Sequence, residues 1–309
     1  MRKQDEPVYK QLSESVNCFE EEVKILVGIT HQENRHTFIS QIVESLRRVK
    51  YFQHIRDTKM SETQTTYSEN FDPLKAATYY FQSGNLDEAF WLVFLATHFG
   101  KNKRTGWKLA RDIYWALGEG YSWNWQIVSQ NPQLITEWLT INYNNLKNDG
   151  VARYFGNHRK YETLKPGANR STSKVIESYI NWIGETRSHE VFLNSFKAND
   201  RKLLFREIYN SMSSVVSFAR TGKFDYLTTL SNLSIAPIIP DSAYLIGSTG
   251  PLKGARLLFE GSVQSSTSPA KLEISTNKLD EYLNVGMQVL EDSLCNWQKS
   301  PREFIPFRG

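Results

Sequence analysis

Cysteine is nearly absent from this chain: Cys18 and Cys295 are the only two, and they stand far apart. No Cys-x-x-Cys pair exists, which disfavours a zinc ribbon or a thioredoxin-type redox site. Histidine is almost as sparse, with six residues and none spaced beside acids as metal ligands are. No dedicated metal site and no cofactor is therefore expected, although a magnesium ion bridged by a phosphate group remains compatible with the sequence. A GxxxxGK[ST] loop, a GxGxxG fingerprint, an HExxH pair and a GxSxG elbow are all missing. Their absence argues against a P-loop kinase or nucleotidase, a dinucleotide enzyme, a zincin and an α/β-hydrolase. Strand signals are scarce; the run Ile235 to Ile239 is short and contains Pro237. The longest apolar run, Ala89 to Ala96, is far too short to span a bilayer. Residues Arg2 to Glu6 are polar and charged, unlike a secretory leader. A soluble, reducing compartment is the expectation.

What is present is a core-forming, helical sequence. Apolar residues make up 40% of the 309, enough to exclude disorder over most of the length. Aromatic residues are abundant (8 Trp, 15 Tyr, 17 Phe), and such rings serve cores and base stacking alike. The net charge of +4 permits local contact with nucleic acid without requiring it. Helical periodicity appears from about Val8 to Val27 and from about Glu33 to Ile55, where Ile39, Ile42, Val43, Leu46 and Val49 share one face. The stretch 58–70 is polar and reads as a linker, with Asp72-Pro73 opening the next helix. Asp87 to Phe99 is apolar nearly all round, as a central buried helix is, and Gly100 stops it. Asn131-Pro132 starts another helix, and a last one carries Leu279, Tyr282, Leu283, Leu290, Leu294 and Trp297. The sequence thus divides into a helical extension (1–60), a linker (61–71), a mainly α catalytic or DNA-binding domain (72–300) and a tail (301–309).

Four segments concentrate polar chemistry. The first, His98 to Arg104 and on to Lys108 and Arg111, reads either as cations at a helix C-terminus or as a phosphate-binding patch that includes Lys101 and Arg104. The second is the nine-residue run Tyr154 to Glu162. Gly156-Asn157 suits a tight turn that would project His158, Arg159 and Lys160. An imidazole can move protons near neutral pH, a guanidinium grips phosphate or carboxylate bidentately, and an ammonium acts as a point charge. The third, Ser217 to Leu227, interleaves Arg220, Lys223 and Asp225 with aromatic rings. It is either a salt-bridged helical corner or part of a site. The fourth, Tyr244 to Phe259, is a glycine-rich hairpin feeding a helix that starts near Pro251. Free amides at Thr249 and Gly250, with Lys253 and Arg256 one turn in, could hold a backbone phosphate. This element is similar to a helix-hairpin-helix, but Gly247 and Gly250 are one residue too far apart for its usual pattern. A small-residue packing corner is the other reading.

The motifs DEAFWLVFLATHFGKN, YFGNHRKYE, FARTGKFDYL and TGPLKGARLLF, in that order, resemble the α-glutamyl/putrescinyl thymine pyrophosphorylase family, its third clade in particular, from roughly Asp72 to Phe259. The resemblance implies a helix-hairpin-helix, DNA-glycosylase-like helical fold. It also implies a role in hypermodification of thymine in phage DNA. There a separate kinase pyrophosphorylates 5-hydroxymethyluracil in DNA, and the transferase replaces pyrophosphate on the 5-methylene carbon with an amine or amino acid. The glycosylase aspartate has no clear counterpart; Glu260, Glu273 and Asp280 fall in its region without a matching context.

Such a transfer needs a pocket for an unstacked pyrimidine, cations for the leaving pyrophosphate, and a base for the incoming amine. His158 is the first choice for the base and Asp225 the second. Asn157, Arg159, Lys160, Arg220, Lys223, Lys101 and Arg104 are candidates for substrate and phosphate binding. Thr249, Gly250, Lys253 and Arg256 are candidates for holding DNA without reading its sequence. The implied partners are DNA with a modified pyrimidine, an amine or amino acid, and a hydroxymethyluracil DNA kinase, with no membrane. The implied setting is a bacterial or phage-infected cytoplasm, or a nucleus in a eukaryote. A glycosylase that excises a modified base and a non-catalytic reader of modified DNA are the alternatives.

Overall fold

The computed structural model describes residues 2–159 and 161–306. Among the described residues there are fifteen α-helices and no β-strand, so the protein is mainly helical. In chain order they are α1 (Glu6–Glu22), α2 (Gln32–Asp57), α3 (Pro73–Gln82), α4 (Leu86–Phe99) and α5 (Lys108–Tyr114). Next come α6 (Trp125–Gln130), α7 (Pro132–Ile141), α8 (Tyr143–Asn148), α9 (Thr172–Ile183) and α10 (His189–Asn194). The last are α11 (Arg201–Ser211), α12 (Arg220–Asn232), α13 (Gly250–Glu260), α14 (Pro269–Leu283) and α15 (Met287–Trp297).

Local chemistry sets these boundaries. Asn85 accepts from the Glu88 amide to start α4, and Ser171, Asp200 and Ser268 cap α9, α11 and α14 in the same way. Proline fills the first turn of α3, α7, α13 and α14, where its missing N–H costs nothing. Gly100, at φ 67°, ends α4. The apolar period from Leu279 to Trp297 reads as one helix but forms two. Asn284 (φ 50°) and Gly286 (φ 88°) break it, and the Asp280 carboxylate accepts from the Val285 and Gly286 amides. Two periodic stretches in near register hide a short break of this kind. The run 235–239 forms no strand, and the stretch 58–70 holds a 3-10 turn, Glu62–Thr65.

The chain divides into two compact units, Met1–Phe52 with Pro240–Arg308, and Gln53–Ile239. This grouping differs from the sequence division at 60 and 72, because the N-terminal helices share a core with the C-terminal ones. Leu12, Val16 and Phe19 of α1 and Phe38, Ile39 and Ile42 of α2 are buried in one cluster with Leu258, Leu279, Leu290 and Trp297. Within this unit α13 packs on α15, α14 and the turn Val27–Ile29. In the second unit α4 is buried from Glu88 to Phe99 and is touched by α3, α5, α6, α10 and α12. No helix among the described residues is long and apolar enough to cross a membrane.

Candidate functional site

Three of the four polar segments converge at the C-terminal end of α4. The Gly156 amide donates to the Phe99 carbonyl at 2.7 Å, and Asn102 Nδ2 donates to the Phe155 carbonyl at 2.9 Å. A Cβ on Gly156 would meet the Gly100 backbone at 2.9 Å, so a glycine is needed where these two strips of backbone cross. The third segment joins through Arg159. Its guanidinium is 3.1 Å from Asp225 Oδ2 and lies 6.0 Å from the Phe218 ring. Gly222, inside α12, makes room for it: a Cβ there would meet Arg159 Nη1 at 3.2 Å. Arg170 adds a second tie, bonding Glu162 Oε1 and Ser217 Oγ, each at 3.1 Å.

The convergence gives each sequence candidate a place. Arg159 is buried and paired with Asp225, whose side chain is half exposed. His158 is exposed, on a 3-10 turn Asn157–Arg159. Lys160 lies outside the described residues, as does the Asn157 side chain. Arg220 sits at the first turn of α12 with its guanidinium 4.9 Å from the Phe224 ring. Lys223 turns its ammonium to Ser213 Oγ (3.1 Å) and the Tyr209 ring (4.1 Å), and burial lowers its pKa. Lys101 and Arg104 line a recess of about 560 Å³ with Phe71, Lys75, Trp107 and Lys108. Arg104 also lies 5.6 Å from the Tyr154 ring, next to the second segment.

The fourth segment belongs to the other unit. Its glycines follow the packing reading at two positions. A Cβ on Gly250 would meet Cys295 Sγ at 2.6 Å, and one on Gly254 would meet the Leu294 carbonyl oxygen at 2.2 Å. Ser248 Oγ accepts from the Leu252 amide and so uses one of the free N–H groups of α13. Thr249 and Lys253 are exposed, and Arg256 is half-buried with its Nε lacking a partner among the described residues. Glu273 accepts from the Leu245 amide and Asp280 closes the α14–α15 corner, so both carboxylates have structural duties.

Sequence reasoning missed two features. Asn102 organises the 102–106 loop, accepting from the Arg104 and Thr105 amides through Oδ1 while its backbone pairs with Gly106. An asparagine ahead of a Lys-Arg-Thr-Gly run is a turn signal that could have been read. The second is a buried polar chain. Tyr226 and Tyr179 hydroxyls are 2.8 Å apart, Tyr179 is 2.7 Å from His189 Nε2, and His189 Nδ1 is 2.8 Å from Asp87 Oδ1. Burial lowers the His189 pKa and keeps the ring neutral. Its Nδ1–H then donates to Asp87, Nε2 accepts from Tyr179, and Tyr179 accepts from Tyr226. Beside it Glu88 accepts from the Tyr114 hydroxyl and the Trp125 amide, each at 2.7 Å, and burial pushes its pKa up to about 7. His98, which bonds Thr172 Oγ1 at 3.0 Å, is driven down to about 3 by burial and the Arg159 charge. Among the described residues no group of three or more His, Cys, Asp or Glu is placed to hold a metal ion.

Fold and site together define a mainly helical protein with a cation-lined recess beside a paired Arg159–Asp225 corner. The chain belongs to the alpha-glutamyl/putrescinyl thymine pyrophosphorylase family, clade 3, whose family model matches residues 33–309. Searches of curated proteins and of solved structures each return no match. Membership ties the chain to pyrophosphorylase-type hypermodification of thymine, and so to modified DNA as its substrate class.

Proposed function

We propose that this protein is a transferase that replaces pyrophosphate on the 5-methylene carbon of an activated pyrimidine in DNA with an amine or amino acid. The observation that carries the reading is the convergence of the 99–107, 154–162 and 217–225 segments, each of which overlaps a motif that resembles the family, on one corner of the second unit. In the step, the amine nitrogen bonds to the methylene carbon. The carbon–oxygen bond breaks, with its electron pair leaving on pyrophosphate, and one N–H proton passes to a base. His158 would take that proton; its exposure and its position on a turn anchored by Gly156 support this role. Asp225 instead accepts the Arg159 charge, which suits it to hold the guanidinium rather than to take a proton. Arg220, at the first turn of α12, would meet phosphate oxygens there.

Thr249, Gly250, Lys253 and Arg256 at the start of α13 are proposed to hold the DNA backbone, in a glycosylase-derived helix-hairpin-helix arrangement. The activated base would come from a separate hydroxymethyluracil DNA kinase, in a phage-infected or comparable cell. DNA carrying pyrophosphorylated 5-hydroxymethyluracil, incubated with the protein and a pool of amines, should yield a new nucleoside by mass spectrometry together with free pyrophosphate. If neither forms with any amine, the transferase reading fails. Abasic sites in place of a new nucleoside would make the protein a glycosylase.

A further inference from the structure

The recess beside the Lys101–Trp107 loop has a composition that the transferase reading alone does not explain. Five cationic side chains line it (Lys75, Lys101, Arg104, Lys108 and Arg111), against the two carboxylates of Glu69 and Asp72. Both ends of that balance can be refined. Asp72 is occupied as the cap of α3, accepting from the Leu74 amide at 2.9 Å. Arg111 is occupied by Asp112, 2.7 Å from its Nε. Lys75, Lys101, Arg104 and Lys108 make no ion pair with a described residue. Four cations without an ion pair, facing the one remaining carboxylate of Glu69, leave the concavity with a net positive charge that a polyanion stabilises.

Two residues of the same wall also carry unpartnered neutral donors. Thr105 Oγ1 and Trp107 Nε1 are buried and have no hydrogen-bond partner among the described residues. Buried donors are paired as a rule, and an indole N–H can only donate. The loop that carries them is rigid by construction, since Asn102 bonds its own turn and the Phe155 carbonyl. Rigid donors and fixed cations are what a phosphate group is recognised by.

We infer that this recess is a binding site for a diphosphate group, with Lys101, Arg104, Lys75 and Lys108 supplying charge and the Thr105 hydroxyl and Trp107 indole N–H supplying directed hydrogen bonds. At about 560 Å³ it exceeds what one phosphate fills. Under the transferase reading, on which this last role rests, the recess holds the leaving pyrophosphate while Arg159 stays committed to Asp225.

Titration calorimetry of the full-length protein with inorganic pyrophosphate tests the site without any turnover. Pyrophosphate should bind more tightly than orthophosphate. The double variant K101A/R104A, made at two exposed side chains, should weaken it roughly tenfold or more, as loss of charge-assisted bonds does. T105V and W107F, which keep shape and remove one donor each, should each weaken it severalfold. No measurable binding of pyrophosphate, or equal affinity in all four proteins, overturns the assignment. If pyrophosphate binds as expected but activated DNA gives no product, the anion site stands and the transferase reading falls. If product forms and the three variants leave both pyrophosphate binding and product inhibition unchanged, the reading stands and this site falls.

Discussion

The two units bury different chemistry. The core built by α1, α2 and α13–α15 is largely aliphatic, and of charged side chains it buries only Asp5 among the described residues. The unit around α4 buries Glu88, His98, Arg111, Asp112, Arg159 and His189 among stacked rings such as Phe94 on Tyr179, 3.8 Å apart. An aliphatic core is specified by volume and is damaged by overpacking. A polar, aromatic core is specified by partners and is damaged by leaving one of them unpaired. Every candidate for chemistry other than the α13 residues lies in the second kind of unit. Oriented polar groups and the rigid aromatic scaffold that holds them occur together there.

The comparison can be broken most sharply in the first unit. Gly254→Ala puts a Cβ 2.2 Å from the Leu294 carbonyl oxygen, on backbone that cannot swing aside. Urea unfolding should show a loss of about 3 kcal/mol or more as α13 is pushed off α15. A neutral result would mean that α13 and α15 are not held as closely as described.

The second unit should respond to protons instead. Glu88 has a folded pKa of about 7, above its unfolded value of 4.5. The associated stability is fully present below the unfolded value and is lost as pH rises through 7, in total about 3 kcal/mol. Glu88→Gln should therefore match the parent near pH 4 and exceed it in stability above pH 7, by unfolding at both pH values. His98 and His189 act in the opposite direction. Their folded pKa values are depressed, so the stability they confer is present above about pH 6.5 and is lost as pH falls towards the folded values. Equal pH dependence in the parent and the Glu88→Gln variant would contradict the burial of a titrating carboxyl.

Tyr179→Phe removes the hydroxyl that joins His189 to Tyr226 and should cost about 2 kcal/mol, because His189 Nε2 loses its donor. The smallest effect on stability belongs to the exposed corner. Asp225→Asn should change unfolding by less than about 1 kcal/mol, since the carboxylate is half exposed, while transfer activity falls sharply as Arg159 loses its hold. Loss of stability without loss of activity would assign the pair to folding alone.

Much of this was legible in the chain. Helix α4 announced itself through the apolar run from Asp87 to Phe99 closed by Gly100, and α2 through its Ile39–Val49 stripe. The loop candidates were visible as dense polar runs, and three of them do meet. Other features leave no local sign. Asp87 and His189 are 102 positions apart, and the pairing depends on α10 returning to α4. The N-terminal helices carry an ordinary apolar stripe that does not say which distant helices it will cover. Lys223 shows why spacing alone overreaches. Its neighbours suggest a phosphate ligand, yet burial beside Tyr209 and a bond to Ser213 occupy its ammonium.

The central claim is that the corner formed by the 99–107, 154–162 and 217–225 segments performs amine-for-pyrophosphate exchange on DNA. Pyrophosphate release from DNA carrying pyrophosphorylated 5-hydroxymethyluracil, measured for the parent and for His158→Ala in the presence of amines, tests it most directly. Amine-dependent release by the parent, matched by a new nucleoside and reduced roughly a hundredfold or more in the variant, is the predicted result. Release that ignores the amine, or that is equal in the two proteins, would contradict it.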